Sequence, residues 1–320
     1  MQKTILTAAG LFFSLCASLA LAQGNFPSKP LRMLVGFEPG ASTDIQTRLV
    51  AAKLGETIGQ SVVVENKPGA DGAIAAAIVA KSAPDGYTLL FISAGHAINP
   101  NFQDLPYHPL NDFSPIVHTT SAPFFLVVHP SVPAQNVAEF IAYVKARPGQ
   151  LSYGSSGAGG SLMMGMELFL SMAGIRITHV PYKGGAPATT DLIAGRIQAM
   201  VNNAASSLSS VRAGKLRMLG ATSAQRTAIA PDVPAIAETV PGYEMDAWYG
   251  VITSRGVPAP ILARLNAEIN KGLSNPETRQ LFYQQGFTTV GGSPEQFTRL
   301  LQVELAKWAK VVKDNNIKPG

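Results

Sequence analysis

The sequence predicts an α/β fold in two lobes. Three observations carry that expectation. Short β-rich runs alternate with helical stretches along the chain, the pattern that builds parallel sheets. A strand that ends in a Gly/Ser-rich turn and runs into a helix occurs once in each half: Leu31 to Phe37 turns through "EPGASTD" (38–44), and Leu151 to Tyr153 through "GSSGAGGS" (154–161). The chain has 320 residues, enough to bury two lobes.

The first unit reads as a strand over 31–37 and a helix over about 43–58. Ile45, Leu49, Ala52 and Ile58 lie near one face of that helix, with Ser42 or Thr43 as its cap. A strand over Val62 to Glu65 and a helix over about 71–81 follow. The turn "PDGY" (84–87) then feeds a strand over Thr88 to Ser93.

A second unit starts near Pro123. Phe124 to Val128 is a strand, and Asn136 with Glu139 forms a capping pair for a helix through Lys145. Strands are expected at 151–153, 177–180, 198–201 and 217–222. Helices are expected at about 161–173, 187–194 and 206–213. The tail is helical at about 260–273, 276–285 and 294–313. Ser293, Pro294 and Gln296 mark the start of the last helix, and Phe297, Leu300, Leu301, Leu305 and Trp308 form its apolar stripe.

Residues 1–22 read as an export signal. Lys3 supplies the positive start, Leu11 to Leu21 the apolar run, and Ala20-Leu21-Ala22 the cleavage site. The lone cysteine, Cys16, lies inside it, so the mature chain has no disulfide or thiolate. The formal charge of +5 becomes +4 once Lys3 is removed. Basic residues are scattered without aromatic interleaving, so no nucleic-acid partner is expected.

A helix N-terminus presents unpaired N–H groups and a partial positive charge. Two of them, one per lobe, suit an anion gripped from both sides. G-x-S-x-G and P-loop patterns are missing, and "GAGGSL" (157–162) only grazes a dinucleotide fingerprint. The five histidines are well separated, so neither a metal nor a cofactor is expected. Asp44 reads either as a first-turn acid favoured by the helix dipole or as a pocket-wall group. "SAGHAIN" (93–99) ends the third strand, which makes His96 and Asn99 site candidates. Asn202 and Asn203 also follow a strand, and Tyr182 or Trp248 offers a pocket wall.

Several segments, in this order, resemble the Bug family of extracytoplasmic solute receptors of tripartite tricarboxylate transporters. They include "PGASTD" (39–44), "GQSVVVENKPGADG" (59–72), "PDGYTLL" (84–90), "HAINPN" (96–101), "YGSSGAGGS" (153–161), "HVPYKGGAPA" (179–188), "PDVPAIAE" (231–238) and "PGYEMDAWYG" (241–250). The resemblance covers nearly all of the mature chain. It implies a two-lobe periplasmic binding protein of type II-like architecture, with strands crossing near His118–Phe124 and Ala247–Ile252. Lobe 1 would span 25–121 plus 248–320, and lobe 2 would span 122–247. It also implies a small organic carboxylate ligand, membrane transporter subunits as partners, and a periplasmic monomer. The ligand roles carried over fall on Phe37, Gly40, Ser42, Asp44, His96, Ser155, Ser156, Ser161 and Asn202.

The chain departs from the family pattern in places. Glu38 and Ala41 intrude in the first loop, and Met164 stands where a His is common. Asn202 replaces a position that is often acidic, which favours a ligand without an ammonium group. Two alternatives stay open beside the transport receptor. One is a ligand-sensing subunit of a membrane signalling system. The other is an exported serine hydrolase using Ser156 or Ser161, with His96 or His179 as base.

Overall fold

The computed structural model describes residues 26–157, 159–182, 184–314 and 317; the expected export signal lies outside them. One ten-stranded sheet runs through the molecule, its strands in order being β2 (Val62–Asn66), β1 (Leu31–Val35), β3 (Thr88–Ser93), β9 (Asp246–Ser254), β4 (Phe113–Val128), β7 (Ala199–Asn203), β5 (Ser152–Ser155) and β6 (Thr178–Pro181), with β8 (Arg217–Ala221) and β10 (Thr288–Thr289) paired onto β4. Its first half starts from β1 (Leu31–Val35), flanked by β2 (Val62–Asn66) and β3 (Thr88–Ser93), all parallel. Leu31, Met33, Leu34 and Val35 are fully buried. That near-continuous apolar run is what a parallel strand covered on both faces requires. Helix α1 (Ser42–Ile58) follows β1, and α2 (Ala73–Ala80) follows β2. The four-residue α3 (Gly95–Ile98) follows β3.

The second half repeats the layout. Strand β5 (Ser152–Ser155) lies between β6 (Thr178–Pro181) and β7 (Ala199–Asn203), again parallel. The helices are α4 (Val137–Lys145), α5 (Ser161–Ala173), α6 (Gly185–Ile193) and α7 (Ala204–Arg212), and β8 is Arg217–Ala221. In each half the first strand sits between the second and third. That order puts a crevice at the carboxyl ends of the first and third strands, where open α/β sheets take ligands.

Two long antiparallel strands join the halves. The 16-residue β4 (Phe113–Val128) pairs with β9 (Asp246–Ser254) from Phe113↔Ser254 to Pro123↔Asp246. From Phe124 onward β4 pairs instead with β7 and β8. The apolar run 124–128 is thus only the last third of this strand. Ser114, Pro115, Ser121 and Pro123 interrupt the earlier part, and the register shifts between Pro115 and Val117 and between His118 and Thr120. The two-residue β10 (Thr288–Thr289) pairs with Thr120 and Ser121.

Helices α8 (Ala259–Ser274), α9 (Pro276–Gln284) and α10 (Pro294–Asp314) complete the first half. The start of α10 is a reciprocal capping box. Ser293 N–H donates to Gln296 Oε1 at 2.8 Å, and Gln296 N–H donates to Ser293 Oγ at 3.3 Å. Phe297, Leu301 and Trp308 bury its stripe. Asn136 caps α4 by accepting Glu139 N–H at 2.9 Å. The expected cap of α1 is corrected: its N-cap is Ala41, and Ser42 already sits inside the first turn.

Candidate functional site

A cavity of about 300 Å³ opens where the carboxyl ends of the parallel strands meet the long pair. Phe37 enters it from beyond β1, Ser93 and Ala94 from the end of β3, Ser156 from beyond β5, and Asn203 from the end of β7. Phe124 and the run Ala247, Trp248 and Tyr249 form the wall made by β4 and β9.

Four helices begin at this cavity. Ser42 and Thr43 open α1, Ser161 and Leu162 open α5, Gly184 and Gly185 lead into α6, and Asn203 precedes α7. None of the four has a side-chain cap. Of the helices that begin elsewhere, α4, α9 and α10 are capped by side chains, and α2 and α8 are not. At the cavity these first-turn N–H groups are not taken by capping side chains, and four of them face one space. With four partial positive ends converging, the site suits an anion.

Asp44 organises one of these starts from behind and does not line the cavity. It is 2% exposed. Its carboxylate accepts Gly40 N–H at 2.9 Å, Arg48 Nε at 3.0 Å and Asn66 Nδ2 at 2.8 Å. Burial alone would push its pKa up, but the donors outweigh it and hold the group below the usual carboxylate range. With its oxygens occupied, it acts by fixing the turn. Gly40, at φ 82°, sits in that turn and is likewise absent from the cavity wall.

Strand parity decides two other positions. Ser155 is fully buried and contacts Gly157 O at 2.9 Å and His179 Nε2 at 2.7 Å. The next residue, Ser156, faces the cavity. Asn202 is 1% exposed and donates to Thr189 Oγ1 at 2.9 Å, while Asn203 faces the cavity. Successive residues on a strand point to opposite faces, so a one-residue slip in reading swaps wall for core. Phe37, Ser42, Ser156 and Ser161 thus meet at the cavity, and Gly40, Asp44, Ser155 and Asn202 stand behind it. The Ser–His contact of a hydrolase would need an open serine. Here His179 meets the buried Ser155, stacked on Tyr153 at 4.8 Å.

His96 lines a small recess behind the cavity, with about 10 Å³ of free space, room for one water. Its Nε2 lies 2.8 Å from Pro109 O, and its ring stacks on Tyr107 at 6.0 Å. Burial depresses its pKa to about 4, so the ring is neutral. Asn99 does not reach the cavity wall. Its Nδ2 donates to Asp71 O at 3.0 Å and contacts Ala70 O at 3.3 Å.

The residue that sequence reasoning missed is Asp71. It lines the cavity, the recess behind it and an adjoining opening edged by Glu38. Ala70 and Asp71 both hold positive φ, 50° and 49°. The signal available in "PGADG" (68–72) was an acid set among glycines in a turn. Gly36 lets this turn approach: a Cβ there would stand 2.3 Å from the Cα of Gly72.

The family model described as "Tripartite tricarboxylate transporter family receptor" matches residues 46–317. Protein BugT of Bordetella pertussis is 34% identical over 322 residues, covering 98% of each chain. Among solved structures, R. palustris Rpa4515 with adipate is 37% identical, with a TM-score of 0.84, and the match covers 92% of this chain and 100% of that one. MatC of Rhodopseudomonas palustris with bound malate is 31% identical, with a TM-score of 0.79, and the match covers 90% and 100%.

Proposed function

This chain belongs to the family of tripartite tricarboxylate transporter receptors, and from that premise we propose that it captures a small organic carboxylate in the cavity between its lobes and delivers it to transporter subunits in the membrane. The observation that carries the reading is the convergence of four uncapped helix starts on one cavity. The adipate and malate held by two relatives support the ligand class. Each charge-assisted hydrogen bond from a backbone N–H contributes about 1.5–3 kcal/mol. A few of them reach micromolar affinity, roughly −8 kcal/mol, without an arginine.

The chain acts as a periplasmic monomer exported through a signal over 1–22. The lobes divide as 25–121 plus 248–320 and 122–247. The change of partner along β4, from β9 up to Pro123 to β7 and β8 from Phe124, supports that division. Phe37, Ser42, Ser156 and Ser161 contact the ligand. Gly40, Asp44, His96, Ser155 and Asn202 shape the loops that hold it.

The test is a thermal-shift screen of the chain from Gln23 onward, unfolded and refolded to strip any retained ligand, against small carboxylates. A ligand at 100 times its Kd adds about 2.7 kcal/mol, a shift of several degrees. A shift with a small carboxylate, lost on Ser161→Phe, is the expected result. Stripped protein that no carboxylate stabilises overturns the reading.

A further inference from the structure

We propose that the side chain of Asp71 accepts an ammonium group, so that the acid held by this chain is a zwitterion: a small carboxylate that also carries a protonated amine. This rests on the carboxylate reading above and narrows it.

Three observations support the assignment. Asp71 is the one charged side chain among the described residues of the cavity wall. Its carboxylate makes no hydrogen bond with the described residues, although its own backbone carbonyl is held by Asn99. Asp44, an acid behind this cavity, has its oxygens filled by Gly40, Arg48 and Asn66. An acid left unpaired at a pocket is costly unless a ligand completes it.

The backbone adds to this. Two consecutive non-glycine residues hold left-handed φ, and Asn99 and Gln103 grip the Ala70 carbonyl, each at 3.3 Å. Strain kept in place by surrounding contacts is typical of ligand clamps. A glycine would relax the turn, yet the position carries a carboxylate.

The charges then divide by place. The helix starts supply partial positive ends for the ligand carboxylate. Asp71 stands where a second carboxylate would be repelled and a cation attracted. Among the described residues, the groups facing it offer no counter-charge. His96 is neutral, and the Tyr107 and Tyr249 hydroxyls are held protonated, both pushed up by burial and by the charge of Asp71 itself. Glu38, at the adjoining opening, is another acid. Burial raises Asp71 to about 6, which leaves it ionised at neutral pH.

The expectation from Asn202 is thereby replaced. That amide is turned into the core, and the residue that chooses between ammonium and none lies on another loop.

The test compares matched acids by titration calorimetry. The probes are the common amino acids, β-alanine and γ-aminobutyrate, each against its ammonium-free counterpart, with wild type and Asp71→Asn. Asp71→Gly serves as a second variant that relaxes the backbone. For at least one pair, the amino member binds wild type about tenfold tighter or more. The variants lose that preference and still bind the ammonium-free acid. Wild-type affinity for the amino acid falls from about pH 7 to about pH 5, as Asp71 gains a proton. Three results overturn the proposal: a preference for the ammonium-free acids, binding that tightens on acidification because a protonated Asp71 donates to a ligand carboxylate, or a preference unchanged in both variants. If stripped wild type binds no acid of either kind, the carboxylate reading itself fails.

Discussion

Trp248 donates its indole Nε1–H to Oε2 of Glu304 at 3.0 Å, which ties the cavity wall to the last helix. The same oxygen accepts the indole of Trp308 at 2.9 Å. Glu304 is 7% exposed, and Lys307 approaches its other oxygen at 3.4 Å. Glu304→Ala strands two buried donors at once. Each unsatisfied donor costs about 1–3 kcal/mol, so a loss of about 2–6 kcal/mol is expected in urea unfolding. Glu304→Gln keeps an acceptor and costs less. A loss under half a kcal/mol in the alanine variant would show that the indoles find other partners.

Asp44 tests the difference between holding a loop and touching a ligand. Asp44→Ala removes the acceptor for Gly40, Arg48 and Asn66 together. Because Asp44 does not line the cavity, ligand affinity should weaken through the loosened turn, with binding retained. Asp44→Asn, which keeps one oxygen acceptor, should recover part of it. Calorimetry beside a melting curve separates the two effects, and complete loss of binding in a folded Asp44→Ala protein would make it a direct contact.

Gly36 and Gly40 give a matched pair. A Cβ on Gly36 would collide with the backbone of Gly72, while one on Gly40 meets nothing within 4 Å. Gly36→Ala should cost about 1–3 kcal/mol as overpacking and weaken binding by displacing the Asp71 turn. Gly40→Ala should cost about 1 kcal/mol, for its left-handed φ alone. Melting temperatures in the opposite order would contradict this packing.

Buried titratable groups pull stability in opposite directions with pH. His96, held near 4 against an ordinary 6.5, favours the fold while neutral. That contribution is present above the unfolded value and is lost as pH falls from 6.5 toward 4. His118, also near 4, sits beside Thr120 O and acts the same way. Asp71 at about 6 and Asp246 at about 7 act in reverse, since their ionised forms are penalised and acidification relieves them. The whole-protein profile is therefore flattened, and variants resolve it. Between pH 7 and pH 5, wild type should lose about 2 kcal/mol relative to His96→Gln. Over the same range it should gain on Asp71→Asn. Chemical denaturation at the two pH values measures both, and parallel profiles would rule the burial argument out.

The sequence was legible wherever local chemistry agreed with the fold. Strand Thr88–Ser93 and helix Ser161–Ala173 sit at their expected bounds, and Ser293 and Asn136 cap as their spacing implied. The long strand from Phe113 was hidden, because prolines and serines break its β-rich run and only pairing with β9 holds it extended. At the site, chemistry was easier to read than direction. The turns after β1 and β5 were visible as Gly/Ser runs, but Ser155 from Ser156, and Asn202 from Asn203, differ only in strand parity. Asp71 carried no periodic signal at all, since its place depends on a left-handed turn.

The path of β4 and β9 also orders events in time. Thr253 meets the Thr88 carbonyl across 165 residues of chain, so β3 has no neighbour on that side until β9 exists. The strands between Phe124 and Ala221 pair almost wholly among themselves. As the chain emerges from its N-terminus, its middle can fold first, while the opening segment waits for the end. A truncation before Asp246 would leave that opening segment with an open apolar edge, and aggregation rather than a half-active fragment would be its fate.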